Sequence, residues 1–456
     1  MSNNSLILNL HNLILFTMKI KLFFILFVFQ FSFAQQRTCG TQELMQTIMN
    51  DPAQRAAYLE QQSKFEDELQ KLETNGFKNS NSLESINTIR IPVAVHYPTA
   101  GTATAATKTC LRRLAQRQID ILNADYNATN TDISNWTAVS SLFPNSTIGN
   151  LNVQFVIATQ NHPAESGLIN GDLAVTFGTD FIGAGDRFCT NGCNEDITWA
   201  GYMNMVVTNI SGGILGFSPL GGQPSFGRTV VIDNNSFGAT LSPSPTSCSG
   251  FGPAAPYNKG RTLTHELGHF FNLYHTFQAC DGTNCATSGD RVCDTPATNQ
   301  PRYDCNAADN PPTPGGGNPD LSTCGFTQIT MNYMDYVEDA CMYMFTAGQV
   351  TRMRAWYNAI ASQFTTTALS NQEYLENQFS LYPNPNKGSF TIEFKNMANN
   401  FSVEVYDITG KTIFENNYEQ SSNLTQVINL DKPSSGVYFV NIKSDKGMVT
   451  KKLIVE

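Results

Sequence analysis

Residues 264–275 read THELGHFFNLYH, and their spacing decides what kind of protein this is. His265 and His269 lie four apart, so a helix sets them one turn apart on one face, where both imidazoles can reach one ion. Glu266 lies between them in sequence and can reach a water on that ion without ligating it. His275 follows His269 by six residues, and an unbroken helix cannot aim it at the same point. The chain must therefore turn near Asn272, and Asn is the non-glycine residue best suited to the left-handed conformation that ends helices. Three neutral nitrogens leave one tetrahedral position open, which separates a catalytic zinc site from a closed structural one. The alternative is a buried helix that carries histidines for packing. It must explain why half of the six histidines (the others are His11, His96 and His162) fall within eleven residues at ligand spacing.

These residues resemble the metzincin metalloproteases, and among them the pappalysin family. The metzincin pattern is H-E-x-x-H-x-x-G-x-x-H, and this chain departs from it once, with Asn272 where Gly is usual. That Gly serves to adopt positive φ, so Asn costs little. Residues 332–345, NYMDYVEDACMYMF, resemble the methionine turn of the same family. The resemblance implies that Met334 forms an apolar floor under the histidines and that Tyr336 lies beside the metal, its hydroxyl able to stabilise an oxyanion. It also implies that Asp339 lies at the base of the pocket for the residue just after the scissile bond, favouring Arg or Lys there. A solvated surface acid or a helix cap is the competing reading of Asp339. The implied fold class is α+β, a metzincin-type protease domain with a twisted mixed sheet, an active-site helix and a loop-rich lower half. The implied activity is zinc-dependent endopeptidase, with Glu266 as general base and then acid. A decayed scaffold serving as a secreted adhesin is the rival, and the intact Glu266 and Tyr336 argue against it.

At 456 residues the chain exceeds one ordinary domain, and 41% hydrophobic residues suffice for real cores. A net charge of −10 with 14% charged residues argues against nucleic acid and favours an extracellular, soluble protein. Residues 18–34, MKIKLFFILFVFQFSFA, have the basic start, short apolar run and terminal Ala34 of a secretory signal peptide, too short for stable membrane insertion. Residues 1–34 are assigned to it, with Met18 as the possible true start. Export agrees with eleven cysteines, which in that setting suggest disulfides. Cys39, in RTCGT, stands apart from the ten cysteines at 110–341. It is an idle thiol, a partner for Cys110, or a switch whose thiolate fills the open zinc position in the zymogen. Pappalysin-type precursors carry such a Cys-Gly-Thr, so the resemblance implies the switch.

Residues 35–88 read as a pro-segment: helical apolar spacing over 40–75, then a turn-rich linker over 76–88. Lys78 and Arg90 are places where an enzyme with the preference above could cut itself free. The catalytic domain spans 89–368, with strands expected at 89–97, 151–158, 203–208 and 228–233 and a helix near 107–125. Residues 209–217, NISGGILGF, are either an edge strand able to take an extended peptide or a Gly-rich turn. Over 280–325 few apolar side chains are available, so cross-links must hold the shape. The resemblance implies Cys305 with Cys341 and Cys285 (or Cys280) with Cys324. GDRVCDTP, 289–296, offers Asp290, Asp294 and Thr295 as oxygen ligands for calcium, with Asp290 and Thr295 the better pair. Turn capping is the alternative. From 379 to 456 there are no cysteines and period-2 strands appear, which indicates a small all-β sandwich. LYPNPNKGSF and GVYFVNI…KKLIVE resemble the C-terminal sorting domain of the type IX secretion system, implying that machinery as a partner besides protein or peptide substrates. A carbohydrate-binding module would call for exposed aromatics on one face, whereas Tyr438 and Phe439 occupy alternating, core-like positions.

Overall fold

Two helices precede the sheet, α1 (Thr41–Asn50) and α2 (Pro52–Asn75), and the break between them is local chemistry. Pro52 starts α2, and the Asp51 carboxylate accepts the N–H groups of Ala53 and Gln54, both at 2.9 Å. The computed structural model describes residues 37–75, 88–178, 197–227, 229–241, 247–280, 284–303, 305, 324, 328–369, 379–394, 401–418, 425–431, 433–444 and 447–456. The signal-peptide reading, nearly all of the linker, Lys78, Cys189 and Cys193 lie outside those residues.

The sheet is built around β1 (Ile89–Tyr97). IRIPVAVHY is apolar nearly throughout, and both faces of the strand are buried, as a central strand requires. It runs parallel to β2 (Val153–Ile157), β3 (Val175–Phe177) and β4 (Met203–Thr208). β5 (Gly216–Phe217) and β6 (Thr229–Asp233) complete the sheet. β6 is parallel to β4, and β5 lies at the edge, antiparallel to β6. Only two residues of the 209–217 stretch form strand, and Ser211–Gly213 turn, so both readings of it hold in part. Arg90 sits inside β1 opposite Gln154, with Nε donating to the Gln154 side chain at 3.1 Å. A cut before Arg90 would therefore have to break a paired strand.

Helix α3 (Ala105–Tyr126) begins at the Thr104 cap, whose hydroxyl accepts the Thr107 N–H at 3.2 Å. It buries Leu111, Leu114, Ala115, Ile119, Leu122 and Tyr126 as one stripe. The Asn123 amide meets the N–H and carbonyl of Phe155 (2.8 and 3.0 Å), and the Asn127 amide meets those of Val153 (2.9 and 2.6 Å). The outer edge of β2 is thus occupied by side chains and offers no ladder for another chain. Helix α4 (Arg261–Phe270) carries the histidine motif and is buried at every position. Helix α5 (Ala347–Ile360) opens with a capping box between Thr346 and Gln349. Onto α5 packs α2: the Phe65 ring is fully buried, 5.7 Å from Trp356, with the Arg352 guanidinium 5.0 Å from its centre.

Between α4 and α5 the described residues form no helix and no regular strand, and disulfides do the joining. Cys305 pairs with Cys341. Cys324 pairs with Cys280, so the Cys285–Cys324 option is corrected: Cys285 closes a small loop with Cys293 instead. Cys110 pairs with Cys248, which leaves Cys39 reduced and excludes a Cys39–Cys110 bond.

The C-terminal unit is a two-sheet β-sandwich. β7 (Phe379–Tyr382), β8 (Ser389–Phe394) and β11 (Thr425–Asn429) form one sheet in the order β11-β8-β7. β9 (Phe401–Asp407), β10 (Thr412–Tyr418), β12 (Gly436–Ser444) and β13 (Gly447–Val455) form the other, β10-β9-β12-β13. Ile392, Val403, Val405, Val440 and Leu453 fill the space between them. Tyr438 is in that core, but Phe439 points the other way and stacks on Tyr406 at 5.6 Å, as alternation along a strand demands. The fold class is therefore α+β with a small all-β unit appended. No helix among the described residues is long and apolar enough to cross a membrane.

Candidate active site

Helix α4 is anchored at both ends. At its start Gly260 takes φ +77°, and one oxygen of the buried Asp339 carboxylate accepts the N–H groups of Lys259 (2.8 Å) and Arg261 (3.2 Å). A negative group there compensates the free amides of the first turn. The Arg261 guanidinium forks onto Asp132 at 2.7 Å through both nitrogens and donates to the carbonyls of Asp339 and Met342. At the other end Asn272 has φ +68°, Leu273 N–H reaches the Gly268 carbonyl at 2.9 Å, and Asn272 N–H reaches that of His269 at 2.8 Å. This is the Schellman arrangement, with Asn in the place usually held by Gly. It turns the chain so that His275 comes back toward the helix.

The Nδ1–H groups of His265 and His269 donate to the carbonyls of Tyr333 and Leu273, each at 2.7 Å, which leaves both Nε2 lone pairs facing the cleft. The Nε2 atoms of His269 and His275 are 3.0 Å apart, and the Cys39 sulphur joins them: the ligand atoms of Cys39, His265, His269 and His275 all lie within 4.8 Å of one another. Burial lowers the His269 pKa to about 4, against the pull of the Leu273 carbonyl; burial and then His269 lower that of His275. Both rings are therefore neutral at pH 7, the form that ligates metals. At this separation the two nitrogens share either a proton, as a hydrogen bond, or a cation. Tetrahedral Zn–N bonds would set them about 3.3 Å apart, so the donor set fits a zinc ion.

Met334 is fully buried with its sulphur against the α-carbon of Gly268, between the two helical histidines, so a side chain at 268 would displace it. The Tyr336 ring lies 5.0 Å from the His275 ring, 5.7 Å from that of His265 and 4.8 Å from Phe277. Burial raises its phenol far above the ordinary range, with Cys39 and Glu266 adding to the effect, so it stays protonated. Directly beyond it Asp335 is buried, with its carboxyl raised by that burial to about 7.

Glu266 is buried beneath β5, where a Cβ at Gly216 would come within 2.9 Å of its Cγ. Its carboxylate accepts from the Cys39 thiol at 3.2 Å and the Thr41 hydroxyl at 3.5 Å. Residues 38–41 run along the same strand edge. Leu215 N–H donates to Thr38 and Gly40 N–H to Gly216, both at 3.0 Å, and Cys39 bridges Gly216 in parallel. The Thr41 hydroxyl exchanges hydrogen bonds with the backbone of Ser218. Burial and then Glu266 raise the Cys39 thiol well above its usual value, and a divalent cation would reverse that by taking the thiolate.

Of the calcium candidates, Asp290 accepts the Thr295 hydroxyl at 2.6 Å and the Val292 N–H at 3.1 Å, with its carboxyl raised to about 7 by burial. Asp294 points elsewhere and holds the Thr346 hydroxyl (2.6 Å) and Gly348 N–H (2.8 Å) at the start of α5. Sequence reading did not single out Gln62, in α2. Its amide exchanges two hydrogen bonds with the Asn272 amide, at 3.1 and 3.2 Å. The departure from Gly at 272 was the available signal.

The sequence model of the family described as Pregnancy-associated plasma protein-A matches residues 253–358, and that of the Secretion system C-terminal sorting domain matches 380–456. An extracellular metalloprotease of Verticillium alfalfae is 47% identical over 108 residues, covering 24% of this chain and 34% of the relative. Extracellular metalloprotease 1 of Coccidioides posadasii is 36% identical over 155 residues, covering 34% and 49%. The chain spans about a third to a half of the length of these curated relatives. Among solved structures, mature mirolysin of Tannerella forsythia in complex with a cleaved peptide is 29% identical, covers 62% of this chain and 97% of that one, and has a TM-score of 0.44. A promirolysin mutant of the same organism is 26% identical, covers 73% and 98%, and scores 0.48. Residues 253–358, which carry the histidine helix and the methionine turn, match the pappalysin family of metalloproteases, and residues 380–456 match the secretion-system C-terminal sorting domain.

Proposed function

We propose that the chain is a secreted zinc endopeptidase made as a latent zymogen. In this reading residues 1–34 are a signal peptide, 35–88 the pro-segment, 89–368 the catalytic domain, and 379–456 the unit handed to the type IX secretion machinery. One observation carries it: three histidine nitrogens and the Cys39 sulphur converge beside a buried Glu266, while residues 38–41 lie along the cleft edge. A bound zinc would supply a water of pKa about 7 and polarise the scissile carbonyl. His265, His269 and His275 would hold it, with Cys39 in the fourth position until the pro-segment leaves. Glu266 then loses the Thr41 hydroxyl and the neighbouring Cys39 sulphur, takes the proton of the attacking water and passes it to the leaving amine. The protonated Tyr336 phenol donates to the carbonyl oxygen as charge builds there.

Two finer elements belong to the same reading. Asp339 is fixed and buried, and its charge would favour Arg or Lys just after the scissile bond. The amides of α4 compensate part of that charge, so Asp339→Asn, which keeps an acceptor for them, is the informative variant. An unchanged residue preference in a peptide library sinks the specificity assignment. Calcium would sit at Asp290 and Thr295. The principal experiment is hydrolysis of a peptide library by processed enzyme, with metal content measured alongside. We expect zinc near one per chain, loss of cleavage with a chelator, and Glu266→Ala protein that keeps the metal without turnover. Folded protein that binds no zinc refutes the reading.

A further inference from the structure

The carboxylate of Asp335 joins two loops at the one place where Tyr336 hangs from the backbone. Asp335 is fully buried and lies in a turn. Its Oδ1 accepts the N–H of Tyr336 itself at 2.7 Å and that of Arg302 at 3.0 Å. Its Oδ2 accepts Nε2–H of the buried Gln328 at 2.9 Å. Gln328 in turn donates to the Gln300 carbonyl at 3.1 Å and accepts from Arg302 Nε at 3.0 Å. One side chain therefore ties residues 300–303 to 328–336, where the described residues form neither helix nor regular strand. The tied segment brings Tyr303 within 5.9 Å of the Tyr336 ring, which Phe277 and His275 flank elsewhere.

We propose that Asp335 is the positioning residue for Tyr336: by fixing the Tyr336 amide against residues 300–303 it holds the phenol where the reacting carbonyl oxygen will be. A side chain aimed by packing alone would share its time among rotamers, and misplacement of a catalytic donor by about 1 Å can cost up to about a hundredfold in rate. Here a buried carboxylate takes three N–H donors, and a buried group of that kind is retained only where its partners are all in place. The inference rests on the peptidase reading above, in which Tyr336 stabilises the oxyanion.

The test compares kcat, KM and zinc content for processed wild type, Asp335→Ala, Asp335→Asn and Tyr336→Phe, with each Asp335 change also made in the Tyr336→Phe background. Asp335→Ala should lower kcat about tenfold with KM and zinc unchanged. Asp335→Asn, which keeps an oxygen for the Tyr336 and Arg302 amides, should recover most of that loss. In the Tyr336→Phe background Asp335→Ala should cost less than about twofold, because the donor it positions is gone. Equal fold losses in both backgrounds, no rescue by Asn, or loss of zinc would overturn the proposal. Should Asp335→Ala fail to accumulate folded, Gln328→Ala removes one donor from the carboxylate and must show the same dependence on Tyr336. Wild-type enzyme without turnover sinks the peptidase reading itself; active wild type with additive losses sinks only the positioning role.

Discussion

Replacing Asn272 with Gly separates two jobs that one residue performs. At φ +68° Asn carries some backbone strain, which Gly removes. Gly also widens the unfolded ensemble by a similar amount, about 0.5–1 kcal/mol, so the processed enzyme should change little in stability. The precursor proposed above would be different. There the Asn272 amide holds the Gln62 amide through two hydrogen bonds, and at about 1 kcal/mol each their loss weakens pro-segment docking by about 2 kcal/mol. At 1.4 kcal/mol per decade that is about a thirtyfold shift toward the undocked state. The assay is paired: thermal unfolding of precursor and processed forms, and basal hydrolysis by a precursor whose linker is intact. Asn272→Gly should raise basal hydrolysis by the precursor while leaving the turnover of processed enzyme unaltered. An equal effect on both forms, or an unchanged precursor, would refute the coupling.

Cys39→Ala should yield a precursor that hydrolyses peptide without processing; an equally latent variant would show that the thiol does not close the site. Calcium added to chelator-stripped enzyme should raise its melting temperature, and Asp290→Asn should abolish the rise; a rise that persists would move the site elsewhere. Burial raises the Asp335 carboxyl from 3.8 to about 7, so between those values the folded chain keeps a proton that the unfolded chain has released. Its contribution to stability is complete below pH 4 and is lost as pH climbs through 7. Asp335→Asn should flatten that part of the curve of stability against pH, and an undiminished slope in the variant assigns the titration to another group.

The histidine helix was legible because helical periodicity alone puts His265 and His269 on one face, and because Asn272 announces the turn that returns His275. β1 could be read from its nearly unbroken apolar run, and the sandwich strands from their alternation. What escaped was short or non-local. β3 has three residues, too few for a pattern. Helix α5 buries Gln349, Arg352 and Arg354, which blurs its apolar stripe, although Thr346 and Gln349 at capping-box spacing marked its start. Asp339 was singled out as an acid after the methionine turn, and Asp335 was not. Their partners lie 78 and 80 residues away for Asp339 and 33 for Arg302 on Asp335, and no local pattern encodes such contacts. The cysteine alternatives had the same limit: the Cys285–Cys293 loop is local, but nothing in the spacing favoured it over the longer one.

The docking of α2 onto α5 through Phe65 has a consequence for timing. If residues 38–75 are the inhibitory segment proposed above, then while the chain is continuous they would confront the cleft at the millimolar effective concentrations typical of short tethers. Sever the peptide between residues 76 and 88, and the same Phe65 and Gln62 contacts become an ordinary bimolecular equilibrium, answerable to dilution. Inside a crowded envelope the cut fragment would stay bound; dispersed in the surroundings it would drift off. Proteolysis would then arm the enzyme, and leaving the cell would fire it.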